Sequence, residues 1–271
     1  MTDIWNAKTY SKFLDLRTRP AKDLLYAIPE SFQPKMVYDL GCGPGNSTIL
    51  LKDRWPDAKV VGLDSSVDML AQAKRDYPQL EFVEGDLSSF HPDEHPDCIF
   101  SNAALQWVGE HDILIPKLLR FLKPGGVLAI QMPNNWHCPS HQVTIQVLQD
   151  HTQWTPLLKS LRYGPLFSPF YEATRYYDIL SEAKSSGIQI WETEYIQEVG
   201  DHQGVFNWVQ GTGLRPVLSQ MSASDQKEFE EAYVATVSKA YPLQKNGKVL
   251  LPFRRLFMVA LNACSTIALA S

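Results

Sequence analysis

Three glycines at alternate positions, Gly41, Gly43 and Gly45, follow a short apolar run, and the acidic residue Asp39 precedes them. Glycine has no β-carbon, so the main chain can turn tightly at these positions and approach a ligand closely. The residues after Gly45 have a helical pattern, and the first turn of a helix presents free N–H groups and a positive dipole end. This run therefore predicts a loop that binds a nucleotide-like ligand.

The spacing of the glycines separates two classes of ligand. The dinucleotide fingerprint GxGxxG would require a glycine at position 46, where the chain has Asn46. The carboxylate of Asp39 would repel a pyrophosphate, but it would suit the ammonium group of an amino acid. We therefore expect a ligand with a cationic amino-acid tail.

Two further acidic residues follow the next two predicted strands. Asp64 ends the second strand, where folds of this kind use a carboxylate to bind both ribose hydroxyls. Asp86 follows Glu84 and Gly85 at the end of the third strand, where it can accept a hydrogen bond from an adenine amino group. Turn glycines and capping acids are the alternative interpretation, above all for Asp86, because Gly-Asp often marks a turn. Taken together, the acids and glycines predict a site for an adenosyl ligand.

The elements that position these residues follow from short apolar runs that alternate with helical patterns, which is typical of a parallel sheet covered by helices. The predicted strands are 36–40, 59–63, 81–83, 98–101 and 126–131. The predicted helices are 47–55, 66–77 with Ser65 as its N-cap, and 113–121. Residues 134–172 show little periodicity and are interpreted as an insertion. Beyond it we expect a helix over 173–185 with Gly187 as its C-cap, a strand over 188–196, helical structure over 205–241 and a final strand over 256–261.

Composition and charge limit the classes of function. The 271 residues are 44% hydrophobic and 20% charged, with a formal net charge of -5. This composition is ordinary for a globular protein, and the charge argues against a general affinity for nucleic acid or anionic membranes. The four cysteines and seven histidines form no metal-like pairs, and neither a signal peptide nor a membrane span is evident. We expect a soluble, cytoplasmic, monomeric protein without a metal.

Four segments, residues 39–45, 62–66, 84–87 and 122–126, resemble motifs of the class I methyltransferase superfamily. The resemblance implies an α/β fold with a Rossmann-like, seven-stranded, mostly parallel sheet. Helices would cover both faces, the last strand would be antiparallel, and helical insertions or a cap would be added. It also implies that S-adenosyl-L-methionine is the cofactor and S-adenosyl-L-homocysteine the product.

Further segments, residues 17–20, 101–107, 131–136, 211–216 and 241–244, are similar to the trans-aconitate methyltransferase family. This resemblance covers nearly the whole chain, and it implies a monomethyl ester made on one carboxylate of trans-aconitate. On this basis we interpret residues 1–271 as a single methyltransferase domain. Its predicted parts are an N-terminal helical cap (1–30), a cofactor-binding core (36–133), an insertion (134–172) and a helical substrate cap (205–245).

The cofactor contacts are expected from the loop, the strand ends and two N-terminal aromatic residues: Asp39, Gly41, Gly43, Gly45, Asp64, Ser65, Met69, Gly85, Asp86, Leu87, Asn102, Tyr10 and Phe13. Arginine suits carboxylates because two parallel N–H bonds match their two oxygens. The candidates for binding the tricarboxylate are therefore Arg215, Arg19 and Arg17, with Trp136 excluding water and with Arg254 and Arg255 as further candidates. Asn102 and Gln106 are expected to position the acceptor. No catalytic base is expected, because a carboxylate is already ionised at neutral pH.

Three alternatives remain open at this point. A methyltransferase that esterifies a carrier-bound dicarboxylate would need a basic docking surface, which the net charge does not favour. A nicotinamide-binding oxidoreductase shares the fold, but Asn46 and Asp39 count against it. A non-catalytic regulator that binds an adenosyl ligand would differ from an enzyme only in turnover.

Overall fold

The computed structural model describes residues 14–161, 172–211 and 213–263, with side chains described from residue 18 onward. Tyr10 and Phe13, two of the expected cofactor contacts, lie outside these residues, and so does the side chain of Arg17. Within the described ranges, every helix is too short or too polar to cross a bilayer.

Seven strands of the described residues form one sheet in the order β3-β2-β1-β4-β5-β7-β6. Their bounds are β1 Met36–Leu40, β2 Lys59–Asp64, β3 Glu81–Glu84, β4 Cys98–Asn102, β5 Val127–Pro133, β6 Ser186–Glu198 and β7 Leu250–Leu261. Strands β1 to β5 pair in parallel. The final strand runs antiparallel to β5, because Asn262 pairs with Gly126 before β5 while Arg254 pairs with Asn134 after it. The predicted seven-stranded, mostly parallel sheet with an antiparallel last strand is confirmed.

The helices of the described residues are α1 Leu14–Tyr26, α2 Asn46–Arg54, α3 Val67–Asp76, α4 His111–Phe121, α5 Pro139–Asp150, α6 Ala173–Glu182, α7 His202–Gln210, α8 Arg215–Leu218 and α9 Ala223–Val237. Short 3-10 helices lie at Leu87–Ser89, Leu105–Trp107 and Thr155–Ser160. The described residues divide into two compact units. Residues 14–132, 172–192 and 256–263 form the glycine-loop unit, and residues 133–161, 193–211 and 213–255 form the helical unit.

In the glycine-loop unit, the central strands β1, β4 and β5 are buried along most of their length. Strands covered on both faces read as nearly continuous apolar runs, which is why their positions follow from the sequence. Arg54, the last residue of α2, donates hydrogen bonds to the main-chain oxygens of Leu25, Ile28 and Pro29. This side chain therefore attaches the end of α1 to the helix that follows the glycine loop.

In the helical unit, Ser140 in α5 joins two other parts of the unit. Its main-chain N–H donates to the hydroxyl of Tyr241 at 3.1 Å, and its carbonyl accepts from the hydroxyl of Tyr233 in α9 at 2.8 Å. The weakly periodic segment 134–172, interpreted from the sequence as an insertion, contains the helix α5 at Pro139–Asp150. Proline is tolerated at the first turn of a helix, so Pro139 can begin α5.

Three smaller expectations also need correction. The N-cap of α3 is Ser66, whose hydroxyl accepts from the N–H of Met69, and not Ser65. Gly187 does not cap α6, because that helix ends at Glu182 and Gly187 lies within β6. Strand β7 begins at Leu250 and not near residue 256. The prediction missed the first part of the strand because Pro252, Arg254 and Arg255 interrupt the apolar pattern that indicates a strand.

Candidate active site

The glycine loop follows β1, and its three glycines have left-handed φ angles of 71°, 55° and 91°. The N–H of Gly41 donates to the carbonyl of Leu63 at the end of β2 at 2.7 Å. A β-carbon at Gly45 would lie 2.9 Å from the ring of Tyr77, so the loop packs closely there. At Gly43, by contrast, a β-carbon would meet no atom within 4 Å. Gly43 therefore faces open space, where a bound group can approach the main chain.

Asp39 lies in β1 and is fully buried. Its Oδ2 atom accepts hydrogen bonds from the hydroxyls of Ser47 and Thr48, both at 2.7 Å, which ties the strand to the start of α2. Its Oδ1 atom is buried and has no hydrogen-bond partner. Burial raises the pKa of Asp39 to about 6, although the two hydroxyl bonds oppose this rise. A cationic group that donates to Oδ1 would satisfy this oxygen and favour the ionised carboxylate.

Asp64 is held by the main chain on both of its oxygens. Oδ2 accepts from the N–H of Gly43 and Oδ1 from the N–H of Ser66, each at 2.8 Å. An ionised carboxylate has about four acceptor positions, so these bonds set its orientation without excluding a diol. Ser65, the next residue, is exposed, and Met69 is buried in the first turns of α3.

Asp86 is exposed and caps the 3-10 helix Leu87–Ser89. Its Oδ1 atom accepts from the N–H of Ser88 at 2.8 Å and from the Ser88 hydroxyl at 2.6 Å, and these bonds lower the pKa of Asp86. Gly85 and Asp86 line one end of a cavity of about 360 Å³ that extends along one face of β1 to β3. Asp86 therefore has a local structural role, and the adenine contact expected of it stays a prediction.

The segment after β4 carries the two amides expected to position the acceptor. Ala103 has an unusual φ of 55° for a residue with a side chain, and its carbonyl accepts from Nε2 of Gln106 at 2.6 Å. Oδ1 of Asn102 and Oε1 of Gln106 are buried without a hydrogen-bond partner. Strained backbone with unsatisfied polar atoms is a feature that clusters at functional sites. The structure thus brings Asn102 and Gln106 together at one strand end.

A buried pair supports this segment from behind. His111, the first residue of α4, contacts the carbonyl of Leu105 through Nε2 at 3.0 Å and the hydroxyl of Tyr176 through Nδ1 at 2.7 Å. Burial lowers the pKa of His111, so the neutral ring donates from Nε2 and accepts at Nδ1. The sequence contains no local signal for this pair, because the two residues are 65 positions apart.

The candidate arginines lie in different surroundings. The side chain of Arg19 is 72% exposed and lies 3.9 Å from Asp23 on the same helix. Arg215 begins α8 and is half-buried. Arg254 forms an ion pair with Glu194 at 2.9 Å and is 55% exposed, whereas Arg255 is buried. The structure therefore distinguishes four arginines that the sequence presents as similar.

Trp136 is half-buried, and its ring lies 3.2 Å from that of His137, measured between centroids.

Cys42, inside the glycine loop, is buried in an apolar cluster with Leu70, Ala73 and Phe82. Burial raises the pKa of the Cys42 thiol well above its ordinary value, so the thiol is a packing group of the loop.

Comparisons with known proteins cover both units. A family model described as a methyltransferase domain matches residues 37–126. A trans-aconitate 2-methyltransferase from Methylobacterium nodulans is 45% identical over 256 residues, which are 94% of this chain and 97% of the relative. The chain belongs to the trans-aconitate 2-methyltransferase family. A member from Azoarcus sp. is 44% identical over 95% of this chain and 99% of its own. A member from Escherichia coli is 44% identical over 94% of this chain and 97% of its own.

Solved structures confirm the fold of this family member. The YcgJ protein from Bacillus subtilis has a TM-score of 0.57 at 14% identity and covers 90% of this chain and 99% of its own. A phosphoethanolamine N-methyltransferase from Haemonchus contortus, solved with S-adenosyl-L-methionine, has a TM-score of 0.54 at 14% identity. It covers 90% of this chain and 52% of its own. At this identity the likeness concerns the fold, and the individual cofactor and substrate contacts stay predictions.

Proposed function

We propose that the protein transfers a methyl group from S-adenosyl-L-methionine to one carboxylate of trans-aconitate and so forms a monomethyl ester. The observation that carries this proposal is identity of 43–45% to curated trans-aconitate 2-methyltransferases over about 95% of the chain. That identity covers both compact units, whereas the family model alone covers residues 37–126. The glycine loop and its acids supply the local chemistry that the reaction requires.

The residues of the glycine-loop unit fit this cofactor. The buried Oδ1 of Asp39 has no hydrogen-bond partner and suits an ammonium donor. The oriented carboxylate of Asp64 suits a ribose diol, and the open space at Gly43 allows close approach to the main chain. When bound there, S-adenosyl-L-methionine would supply a methyl group on its sulfonium sulfur, and breaking of that S–C bond would leave the neutral thioether S-adenosyl-L-homocysteine.

The chain's own contribution to the reaction is to align the acceptor and to exclude water. A carboxylate needs no deprotonation at neutral pH, so the rate depends on holding one oxygen in line with the methyl group and on removing its hydration shell. Asn102 and Gln106 are the proposed positioning residues, and Arg215 is the first candidate for binding a carboxylate of the acceptor, with Arg19, Arg17 and Trp136 as further contacts. The proposed domain parts are those expected from the sequence, with a cofactor-binding core over residues 36–133 and a substrate cap over 205–245.

We further propose that the enzyme acts in the cytoplasm as a monomer, without nucleic acid or membrane partners. The negative net charge supports the absence of nucleic-acid and anionic-membrane partners. The carrier-bound substrate and the nicotinamide cofactor are not favoured, because the relatives are trans-aconitate 2-methyltransferases.

The direct test is incubation of the purified protein with methyl-labelled cofactor and trans-aconitate, followed by mass spectrometry of the product. A single added methyl group that is released by mild alkali, as an ester is, is the expected result. Titration with NADH serves as the control for the dinucleotide alternative. Tight cofactor binding without any modified trans-aconitate would overturn the proposed substrate and leave the cofactor assignment intact.

A further inference from the structure

The segment between β4 and α4 has an unfavourable backbone conformation at both of its ends. Ala103, before the 3-10 helix Leu105–Trp107, has a φ of 55°, and Glu110, after it, has a φ of 57°. Left-handed φ angles are costly for residues with a side chain, and they persist only where the surrounding structure fixes them. The glycine-loop unit must therefore contain groups that hold this segment in place.

Two buried side chains, His111 and Tyr176, supply a chain of hydrogen bonds to this segment. The carbonyl of Leu105 can only accept, so Nε2 of His111, which lies 3.0 Å from it, is the donor. Burial lowers the pKa of His111, and a neutral ring accepts at Nδ1, to which the Tyr176 hydroxyl donates at 2.7 Å. Each group therefore has a single donor or acceptor role, and the Leu105 carbonyl has a fixed partner.

The buried pair is not the sole connection between the two helices that carry it. Arg175 of α6 forms an ion pair with Asp112 of α4 at the surface, one position before and one position after the buried pair. Within the core, an apolar pair of the same shape would fill the space of His111 and Tyr176 at little or no cost in stability. The polar pair is therefore better explained by the position that it imposes on Leu105 than by attachment of α6 to α4.

The segment that the pair holds lies between two parts of the proposed active site. It carries Gln106, which is 8% exposed and whose Nε2 donates to the carbonyl of Ala103 at 2.6 Å. Ala104, on the same segment, packs against Gly41 of the glycine loop. All of these residues belong to the glycine-loop unit. A displacement of Leu105 would therefore move a proposed positioning residue relative to the loop proposed to bind the cofactor.

We infer that His111 and Tyr176 are positioning residues for the methyl transfer and act through the carbonyl of Leu105 on the segment that carries Gln106. This inference rests on the proposed function, because it concerns the alignment of the acceptor with the methyl group. A misplacement of about 1 Å caused by a change far from the chemistry can cost about 100-fold in rate. Loss of the pair should therefore lower kcat while the affinities for the cofactor and for trans-aconitate change little.

The test measures kcat and KM of the full-length protein, with kcat expressed per cofactor site counted by titration with S-adenosyl-L-homocysteine. Tyr176→Phe removes one oxygen atom, and His111→Phe removes both hydrogen bonds of the imidazole. Tyr177→Phe is the matched control, because it makes the same change at a neighbouring residue of α6 that is 54% exposed. Asp112→Asn weakens the surface ion pair between the same two helices and leaves the buried pair in place.

Tyr176→Phe and His111→Phe should each lower kcat about 10-fold or more and leave both KM values little changed. The double variant should be no slower than the slower single variant, because both residues act through one chain of hydrogen bonds. Tyr177→Phe and Asp112→Asn should keep the wild-type kcat. A wild-type kcat in either buried variant, an additive effect in the double variant, or an equal loss in Asp112→Asn would overturn the inference.

Hydrogen exchange tests the same inference without turnover. The main-chain N–H groups of Trp107 and Val108 donate to the carbonyls of Ala104 and Leu105. Peptides that cover residues 103–108 should exchange about fivefold faster in Tyr176→Phe, as expected for the loss of one supporting hydrogen bond. Unchanged exchange would show that the pair does not hold the segment. Absence of methyl transfer by the wild-type protein would overturn the proposed function instead, and exchange would still decide whether the pair fixes this segment.

Discussion

Gly41 lies so close to Ala104 that a β-carbon added at Gly41 would come within 2.1 Å of the Ala104 β-carbon. The glycine loop after β1 and the segment after β4 are therefore in direct contact at this point. At Gly43 a β-carbon would meet no atom, although the φ angles of both glycines are left-handed. Gly41 is therefore required by close packing inside the protein, whereas Gly43 leaves space beside the main chain.

Substituting these two glycines with alanine should separate folding from cofactor binding. Gly41→Ala combines left-handed strain with a steric clash, so we expect a loss of at least about 3 kcal/mol in the free energy of unfolding. Gly43→Ala carries only the strain, about 1–2 kcal/mol, but its methyl group occupies the space proposed for the cofactor. Urea unfolding and calorimetric titration of the cofactor measure the two effects. If the Gly43→Ala protein binds the cofactor normally, the cofactor does not occupy the space beside Gly43.

The ionisation of Asp39 should make cofactor binding depend on pH. The pKa of this carboxyl is about 6 in the unliganded protein, and the cofactor's ammonium group favours the ionised form. An α-amino group with a pKa near 7.7–8.0 stays charged below pH 7, so binding must release the proton of Asp39 at low pH. Affinity should fall about tenfold for each pH unit below about 6. Asp39→Asn should bind more weakly at pH 7 and lose this dependence, and an unchanged slope in that variant would assign the titration to another group.

The same residue predicts a conflict between function and stability. A folded-state pKa raised above the unfolded value of 3.8 stabilises the fold below pH 4, and this contribution is lost as the pH rises through about 6. The unliganded wild-type protein therefore carries an unfavourable buried charge at pH 8. Asp39→Asn should be more stable there, by up to about 3 kcal/mol, and should lose the advantage near pH 4. Chemical unfolding without cofactor at both pH values measures this difference.

His111 should contribute to stability with the opposite dependence on pH. Its pKa is lowered in the folded state by burial, so the unfolded chain binds a proton more readily. The unfolding free energy should therefore fall as the pH drops below about 6.5, by at most about 1.4 kcal/mol per unit. His111→Gln, which keeps a donor and an acceptor, should lack this part of the dependence. Identical pH profiles of unfolding in the two proteins would exclude a neutral, buried His111.

Replacing Arg215 by an uncharged residue tests the first candidate for substrate binding. Arg215→Gln should raise the KM for trans-aconitate about 10-fold or more and change kcat less, because a contact made equally in the ground and transition states affects binding. Lys227→Gln removes the same charge from an exposed position on α9 and is the control. Steady-state rates over a range of trans-aconitate concentrations distinguish the two. Equal KM values would remove Arg215 from the site.

The sequence predicted best those features that depend on neighbours along the chain. The strands β1, β2, β4 and β5 lie within two residues of their predicted bounds, because buried strands are uninterrupted apolar runs. A tight turn at the glycines of the loop was expected because glycine has no β-carbon, and the three glycines have left-handed φ angles, which glycine adopts at little cost.

Contacts between distant positions could not be predicted in the same way. The hydrogen bond between Asn135 and Arg254 spans 119 positions, and nothing near either residue indicates the other. The burial of Arg255 beside the exposed Arg254 depends on which face of β7 each residue occupies. That assignment requires the full extent of the strand, which Pro252 conceals in the sequence. The hydrogen bonds from Ser47 and Thr48 to Asp39 are a more local kind of contact. Both residues follow the glycine loop at the start of α2, close in the sequence to the strand that carries Asp39.

The burial of Cys42 has a consequence for the oxidation chemistry of the enzyme. Peroxides and disulfides react with thiolates. The Cys42 thiol lies in apolar surroundings that raise its pKa, so it stays protonated and shielded from these reagents. A sulfur atom at the centre of the glycine loop thus fills space without introducing a redox-sensitive position there. Peroxide that modifies accessible cysteines should therefore leave the thiol of Cys42 unmodified.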